Sequence, residues 1–232
     1  MKAIILAAGK GRRLKKIHNK PKCLIKLSNG EMIIERICRI LKENKIRDIT
    51  IVTGYKSNLL KIKKLENVKT IHFKKYYNSN NLQTLLSVKH LLKGKVICLF
   101  ADIVFDSKII KDLISANKDI LLSIKKGNIL KDTMRVKFKK NKVSEIGNQI
   151  DVKKADGNFI GVAKFSSLGS SVLSKYLIKD KNNKKDYYTK VLNDIIKNSK
   201  IKVNYKSIKN LFWKEVDTPK DYKLLKFINN LN

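Results

Sequence analysis

The chain has 232 residues, with 53 Lys and Arg against 19 Asp and Glu, and a formal net charge of +34. It is long enough to bury a sizeable core, and with 43% hydrophobic residues, 10 Gly and 2 Pro it is neither disordered nor collagen-like. The charge comes almost wholly from Lys and is spread over both halves, so it reads as solvated surface and argues against a dedicated nucleic-acid-binding tail.

Short aliphatic runs alternate with segments of helical period, the pattern of an α/β protein with a largely parallel sheet. Ala3–Leu6 reads as a buried first strand, followed by a Gly-rich and basic loop through Lys22. Met32, Ile33, Ile37, Ile40 and Leu41 give a helical stripe, and Asp48–Thr53 a second strand ending at Gly54. A helix over Ser57–Leu65 and a third strand over Val68–Phe73 follow. Leu82 to Leu92 forms another helical face, and Lys95–Ala101 is the most hydrophobic strand, stopping at Asp102. Ile120–Ile124, Met134–Phe138, Val143–Ile146 and Phe159–Phe165 then read as strands without intervening helices, an antiparallel addition to the sheet. Helices over Ser167–Leu177 and Tyr187–Asn198, strands over Ile201–Tyr205 and Phe212–Val216, and a terminal helix capped by Thr218-Pro219 complete the chain. We expect one domain over 1–232, in two halves, 1–120 and 121–232.

Cys23, Cys38 and Cys98 are odd in number and lack CxxC spacing, which supports neither a disulfide framework nor a zinc site. The apolar start is too short for a signal peptide, and no apolar run reaches membrane-spanning length. The expectation is a soluble cytoplasmic protein with reduced thiols.

The most informative string is Leu6-Ala7-Ala8-Gly9-Lys10-Gly11-Arg12-Arg13-Leu14, with Pro21-Lys22 beyond it. A strand ending in a Gly-rich turn lets backbone N–H groups approach phosphates, and Arg13 and Lys22 add cations for a triphosphate. It is neither a GxxxxGK[ST] loop nor a dinucleotide fingerprint. Two further acids, Asp102 and Asp217, lie at strand ends and suit a hard cation such as Mg2+. Asp102 could instead cap a helix, and Asp106 and Asp221 read as caps or surface acids. Asp102-Ile103-Val104 lacks the DxD of many glycosyltransferases.

At these residues the chain resembles the sugar-phosphate and phosphocholine nucleotidyltransferase family, and the resemblance extends over nearly all of it. Asn80-Asn81-Leu82-Gln83-Thr84-Leu85 is similar to a stretch of the small choline-phosphate cytidylyltransferases, and Glu215-Val216-Asp217-Thr218-Pro219 to the family's second metal aspartate. Arg12 departs from the family, where Ser or Thr is usual. The resemblance implies a Rossmann-like, mostly parallel sheet flanked by helices with a small antiparallel addition. It implies transfer of CMP from CTP to a small phosphorylated acceptor, with pyrophosphate released. Phosphocholine is the first choice of acceptor and 2-aminoethylphosphonate the next; a sugar-1-phosphate guanylyl- or uridylyltransferase is the alternative. It assigns catalysis to Arg13 and Lys22, and Mg2+ to Asp102 and Asp217. It assigns the nucleotide to Leu6, Ala7, Ala8, Gly9, Gly11, Asn81, Gln83 and Thr84. The acceptor falls to Glu145, Phe159, Gly161, Tyr188, Trp213 and Glu215, although Gln83 reads equally well as an exposed helix residue and the aromatics as core. The partners implied are a nucleoside triphosphate and the acceptor, without nucleic acid or membrane; oligomeric state is open, a homodimer being one option.

Overall fold

A computed structural model of the chain describes residues 1–60, 65 and 67–225. Its first half is a run of buried strands and helices: β1 (Lys2–Ala7), α1 (Ile33–Glu43), β2 (Asp48–Thr53), β3 (Lys69–His72), α2 (Asn81–Ser87), β4 (Val96–Phe100), β5 (Ile103–Phe105) and α3 (Lys108–Ser115). The second half holds β6 (Ile120–Lys126), β7 (Met134–Lys139), β8 (Lys142–Gly147), β9 (Gly157–Phe165), α4 (Ser167–Lys179), α5 (Tyr188–Asn198), β10 (Val203–Ser207), β11 (Trp213–Glu215) and α6 (Pro219–Leu224).

The main sheet runs β10-β6-β9-β4-β1-β2-β3. Strands β4, β1, β2 and β3 are mutually parallel, and β9 inserts antiparallel between β4 and β6. The β7–β8 hairpin attaches to the first residues of β9. Alternation along the strands feeds two cores, one on each face. Ala3, Ile5 and Ala7 of β1 join α1 and α3 on one side, whereas Ile4 and Leu6 join α2, α4 and α5 on the other.

Several expectations shift. The stripe ending at Leu92 divides into α2 and a 3-10 turn over Lys89–Leu91. The expected helix from Ser57 is a 3-10 turn over Ser57–Leu60, and most of its remainder lies outside the described residues. Helix α3, of which the sequence offered only candidate caps at Asp102 and Asp106, is a short eight-residue helix with Ile109, Ile110 and Leu113 as its buried face. Strand β11 does not join the main sheet but pairs antiparallel with β5 in a two-stranded ribbon. Strand β10 starts two residues later than expected, at Val203. Among the described residues no helix is long and apolar enough to cross a membrane, and all three cysteines are free and buried.

Candidate active site

Parallel α/β sheets bind ligands outside the carboxyl ends of their strands, at the point where the strand order reverses. Here that point lies between β1 and β4, since β2 and β3 extend the sheet on one side of β1 and β4 lies on the other. A cleft of about 620 Å³ opens there, lined by Leu6 to Arg13, Phe100 to Asp102, and residues from the second half of the chain.

The Gly-rich loop leaves β1 and turns at Gly11, whose φ of +57° is a left-handed conformation that side chains disfavour. A Cβ there would also meet Cγ of Lys22 at 3.0 Å, so this glycine lets the Lys22 chain pass behind the loop. Gly9 has nothing within 4 Å of where its Cβ would stand, so open cleft lies directly above its backbone. Among the described residues no acceptor meets the backbone N–H groups of Gly9, Lys10 or Gly11. At the end of β2, Gly54 takes the opposite role. Its Cβ would fall 2.6 Å from the Ala8 carbonyl and 2.7 Å from Cβ of Tyr76, and Tyr55 N–H donates to that same Ala8 carbonyl at 3.2 Å. The loop is therefore pinned from behind and open in front.

Charge is concentrated on the floor. Lys22 Nζ donates to Asp102 Oδ2 at 3.0 Å and to Asp217 Oδ1, and Arg13 pairs with the other oxygen of Asp217. Lys22 and Asp217 keep only 15% and 12% of their side chains exposed, against 53% for Arg13. Burial alone would lower the Lys22 pKa, but Asp102 and Asp217 outweigh it and hold the ammonium above its ordinary value. Glu215 completes an acidic trio. Burial, then the neighbouring Asp102 and Asp217 charges, pushes its carboxyl up to about 8 against the opposing pull of Lys22 and Arg13.

The β5–β11 ribbon assembles this trio. Its register sets Glu215 opposite Ile103, and Val216 N–H donates to the Asp102 carbonyl at 2.8 Å. Glu215 and Asp217, two residues apart, follow from the same strand. A capping box then fixes the chain as it leaves. The Asp221 carboxylate accepts from the backbone N–H groups of Thr218 and Asp217 at 2.9 and 3.2 Å, and Thr218 Oγ1 accepts from Asp221 N–H.

A second anchor shapes the rim. Asn158 is fully buried; its Oδ1 accepts from Leu130 N–H at 2.9 Å and from the Thr133 hydroxyl, while its amide donates to the Asn128 carbonyl at 3.1 Å. Arg135, also buried, donates Nε to the Ile150 carbonyl at 2.6 Å and further N–H groups to Leu130, Lys131 and Asn148. Between them they hold the loop that brings Asp132 to the cleft, 3.9 Å from Arg13.

Of the residues singled out in the sequence, Arg13, Lys22, Leu6, Ala7, Ala8, Gly9, Gly11, Asn81, Thr84, Asp102, Asp217, Phe159 and Glu215 line this one cleft. Five do not. Gln83 turns away, its amide donating to the Lys181 and Asn183 carbonyls at 2.9 and 2.7 Å. Glu145 sits on the β7–β8 hairpin, paired with Lys137 at 2.8 Å. Tyr188 is fully buried, packed edge-on against Phe100 and Phe159, because its aromatic ring contributes more as core than as lining. Trp213 packs against the core beside β5, with its indole N–H buried. Gly161 lies where β9 changes partner from β7 to β4, and a Cβ there would strike the Phe100 ring at 2.7 Å. It therefore acts on the cleft only through Phe100. Sequence reading missed Tyr76, Tyr77, Asn78, Asp132 and Lys185, which reach the cleft on polar connecting segments without a motif.

A metal would find hard carboxylate oxygens here. Among the described residues no cluster of three or more His, Cys, Asp or Glu is arranged as a ready-made cage. Mg2+ is commonly held by one or two carboxylates together with substrate phosphates, and Asp102 and Asp217 would be those carboxylates. The crowding that raises Glu215 and the cation already drawn between Asp102 and Asp217 both show that this corner attracts positive charge.

The sequence pattern of the MobA-like NTP transferase domain matches residues 3–131. Over 204 residues the chain is 29% identical to a protein of Campylobacter jejuni described as CTP:phosphoglutamine cytidylyltransferase, covering 78% of this chain and 80% of that one. It is 39% identical over 99 residues to the choline-phosphate cytidylyltransferase of Streptococcus pneumoniae, 42% of this chain and 43% of that one. Among solved structures, a CTP:phosphocholine cytidylyltransferase from Streptococcus pneumoniae is similar over 97% of both chains, with a TM-score of 0.82 and 25% identity. An inositol-1-phosphate CTP transferase from T. maritima shares the fold with a TM-score of 0.80 at 21% identity, over 97% of this chain and 94% of that one.

Proposed function

Because the chain belongs to the MobA-like NTP transferase domain family, we propose that it moves CMP from CTP to a small phosphorylated acceptor, phosphocholine first, and releases pyrophosphate. The observation that carries this reading is the Lys22 ammonium set between Asp102 and Asp217 beneath a glycine loop whose Gly9, Lys10 and Gly11 N–H groups meet no acceptor among the described residues. The named activities of the relatives, cytidylyl transfer to phosphoglutamine and to choline phosphate, point to the same nucleotide.

The chemistry needs no protein nucleophile. An acceptor phosphate oxygen attacks the α-phosphorus in line, a new P–O bond forms, and the bond to the β-phosphate breaks as pyrophosphate leaves. The chain's task is to bring two polyanions together and offset the charge that gathers at phosphorus. Lys22, held charged by its carboxylate partners, supplies a fixed cation at that point, and Arg13 supplies one for the departing pyrophosphate. The loop N–H groups of Gly9 to Gly11 take phosphate oxygens. Asp102 and Asp217 would hold Mg2+, which when bound offsets charge on the α-phosphate and the leaving group.

Asn81 gives the base its direction. Its Oδ1 is taken by Tyr188 N–H at 2.8 Å, which leaves its amide N–H groups to face the cleft as donors. Cytosine offers two acceptors, O2 and N3, to such a donor. For the acceptor, Phe159 and Tyr187 with Asp132 provide the aromatic and anionic lining that a quaternary ammonium favours. In this reading residues 1–120 take the nucleotide and 121–232 the acceptor.

A pyrophosphate-release screen decides it. CTP, UTP, GTP and ATP are each paired with phosphocholine, 2-aminoethylphosphonate, phosphoglutamine, inositol 1-phosphate and sugar 1-phosphates. The expected result is release with CTP and a zwitterionic acceptor, lost by about 10²–10³-fold in Lys22→Ala and Asp102→Ala. Release with GTP or UTP and a sugar 1-phosphate, or full turnover in either variant, would overturn the reading.

A further inference from the structure

The cleft's outer wall is built from a segment that has no secondary structure of its own. Residues 180–187 connect α4 to α5, and Lys185 and Tyr187 from this segment line the cleft. The connection carries Asp180, Lys181, Lys184, Lys185 and Asp186; the Asn183 amide donates to Asp186, and Asp180 pairs with Lys190 of α5 at 2.7 Å. Besides these bonds and the turn that continues from α4, it is held by α2 and its N-cap, Asn80. Asn80 N–H donates to the Lys184 carbonyl at 2.9 Å and its side-chain amide to the Lys185 carbonyl at 3.1 Å. Gln83, one turn along the same face, donates its amide to both the Lys181 and Asn183 carbonyls. Asn81 accepts from Tyr188 N–H, closing the far end.

We propose that Gln83 is a positioning residue: its side-chain amide clamps the 180–187 segment against α2, so that Lys185 and Tyr187 stand in the cleft as part of the acceptor wall. This rests on the nucleotidyl-transfer reading and adds the device that couples the two halves of the site. Helix α2 also carries Asn81 and Thr84 into the cleft, so a single element sets the nucleotide side and the wall opposite it. Gln83 itself does not line the cleft; it works only through the four-lysine stretch from Lys179 to Lys185 that it restrains.

The amide is needed as a donor, and that separates the proposal from a packing role. Gln83→Glu keeps the shape but presents a carboxylate to two carbonyl oxygens, whereas Gln83→Lys keeps a donor of similar reach. In the full-length protein, limited trypsin digestion mapped by mass spectrometry reads the clamp without any turnover. Cutting after Lys181, Lys184 and Lys185 should be at least about fivefold faster in Gln83→Glu than in the parent, and should return toward parental rates in Gln83→Lys. Steady-state kinetics with CTP and phosphocholine should show the phosphocholine KM raised about tenfold in Gln83→Glu, with kcat and the KM for CTP within about threefold of the parent. Gln83→Ala removes the donor without adding charge and should move both readouts the same way, so it decides the matter if Gln83→Glu does not fold. Equal cutting in all variants would overturn the clamp while leaving the transfer reading intact. A selective rise in the KM for CTP would make Gln83 a contact of the base and overturn the proposal. Faster cutting with no turnover in any protein, the parent included, would overturn the transfer reading and with it the acceptor wall, but not the clamp.

Discussion

Two glycines, Gly9 and Gly54, separate what this loop needs for folding from what it needs for binding. A methyl at Gly54 would overlap the Ala8 carbonyl and the Tyr76 side chain, both of them fixed parts of the fold. Gly54→Ala is therefore expected to cost about 1–3 kcal/mol, the usual range for overpacking, and to lower the melting temperature. A methyl at Gly9 meets nothing in the chain, so Gly9→Ala should change stability by no more than about 0.5 kcal/mol. It stands where a phosphate would approach, and the KM for CTP should rise while the melting temperature holds. Thermal unfolding and steady-state kinetics on the two variants check both halves of this contrast. If Gly9→Ala binds CTP as the parent does, the loop is not the phosphate cradle.

The acidic trio depends on one ribbon and one helix cap. Strands β5 and β11 are three residues each, and α6 is a helix of six, so none would persist alone. Asp221 joins them: its carboxylate caps α6, holds the Asp217 N–H and pairs with Lys214 of β11 at 2.6 Å. Buried surroundings would raise its pKa, but these bonds outweigh burial and hold it below the usual aspartate value. Asp221→Ala should cost about 1 kcal/mol of stability, the usual loss for a cap, and should lower turnover because Asp217 loses its backbone anchor. An unchanged kcat in a destabilised variant would mean that the ribbon alone fixes Asp217. The strand-end acids Asp102 and Asp217 and the glycine loop were legible in the sequence because each is local: a strand, a turn and a charged residue in one string. Gln83, Tyr188 and Trp213 stood open between cleft and core or surface because their partners lie far off in sequence, and no spacing along the chain records which carbonyl or ring a side chain will meet. Helix α3 and the separate ribbon escaped for a related reason. An apolar run such as Val96–Phe105 does not show where a strand leaves one sheet for another.

At the scale of the whole molecule, the net charge of +34 sits on the surface and the three thiols sit inside. The charge thus has a small focus, the cations around the cleft, within a larger solvated background. The thiols carry a sharper consequence. Burial, with lesser help from Asp102 near Cys23 and Glu35 near Cys38, pushes Cys23, Cys38 and Cys98 from 9.0 up to about 12. Below pH 9 the thiols are protonated in both folded and unfolded chains and do not distinguish them. Between about pH 9 and 12 the unfolded chain releases these protons and the folded chain keeps them, so stability falls as pH rises, by at most about 1.4 kcal/mol per thiol for each pH unit. The melting temperature should accordingly drop through that window, and a thiol-specific reagent at pH 8 should label the native protein no faster than it unfolds. Cys98→Ala, which removes the thiol in the cluster with Tyr188 and Phe165, should start from a lower melting temperature but lose less of it between pH 9 and 11. Rapid labelling of the native chain, or an alkaline slope in Cys98→Ala equal to the parent's, would show that the thiols reach solvent without unfolding.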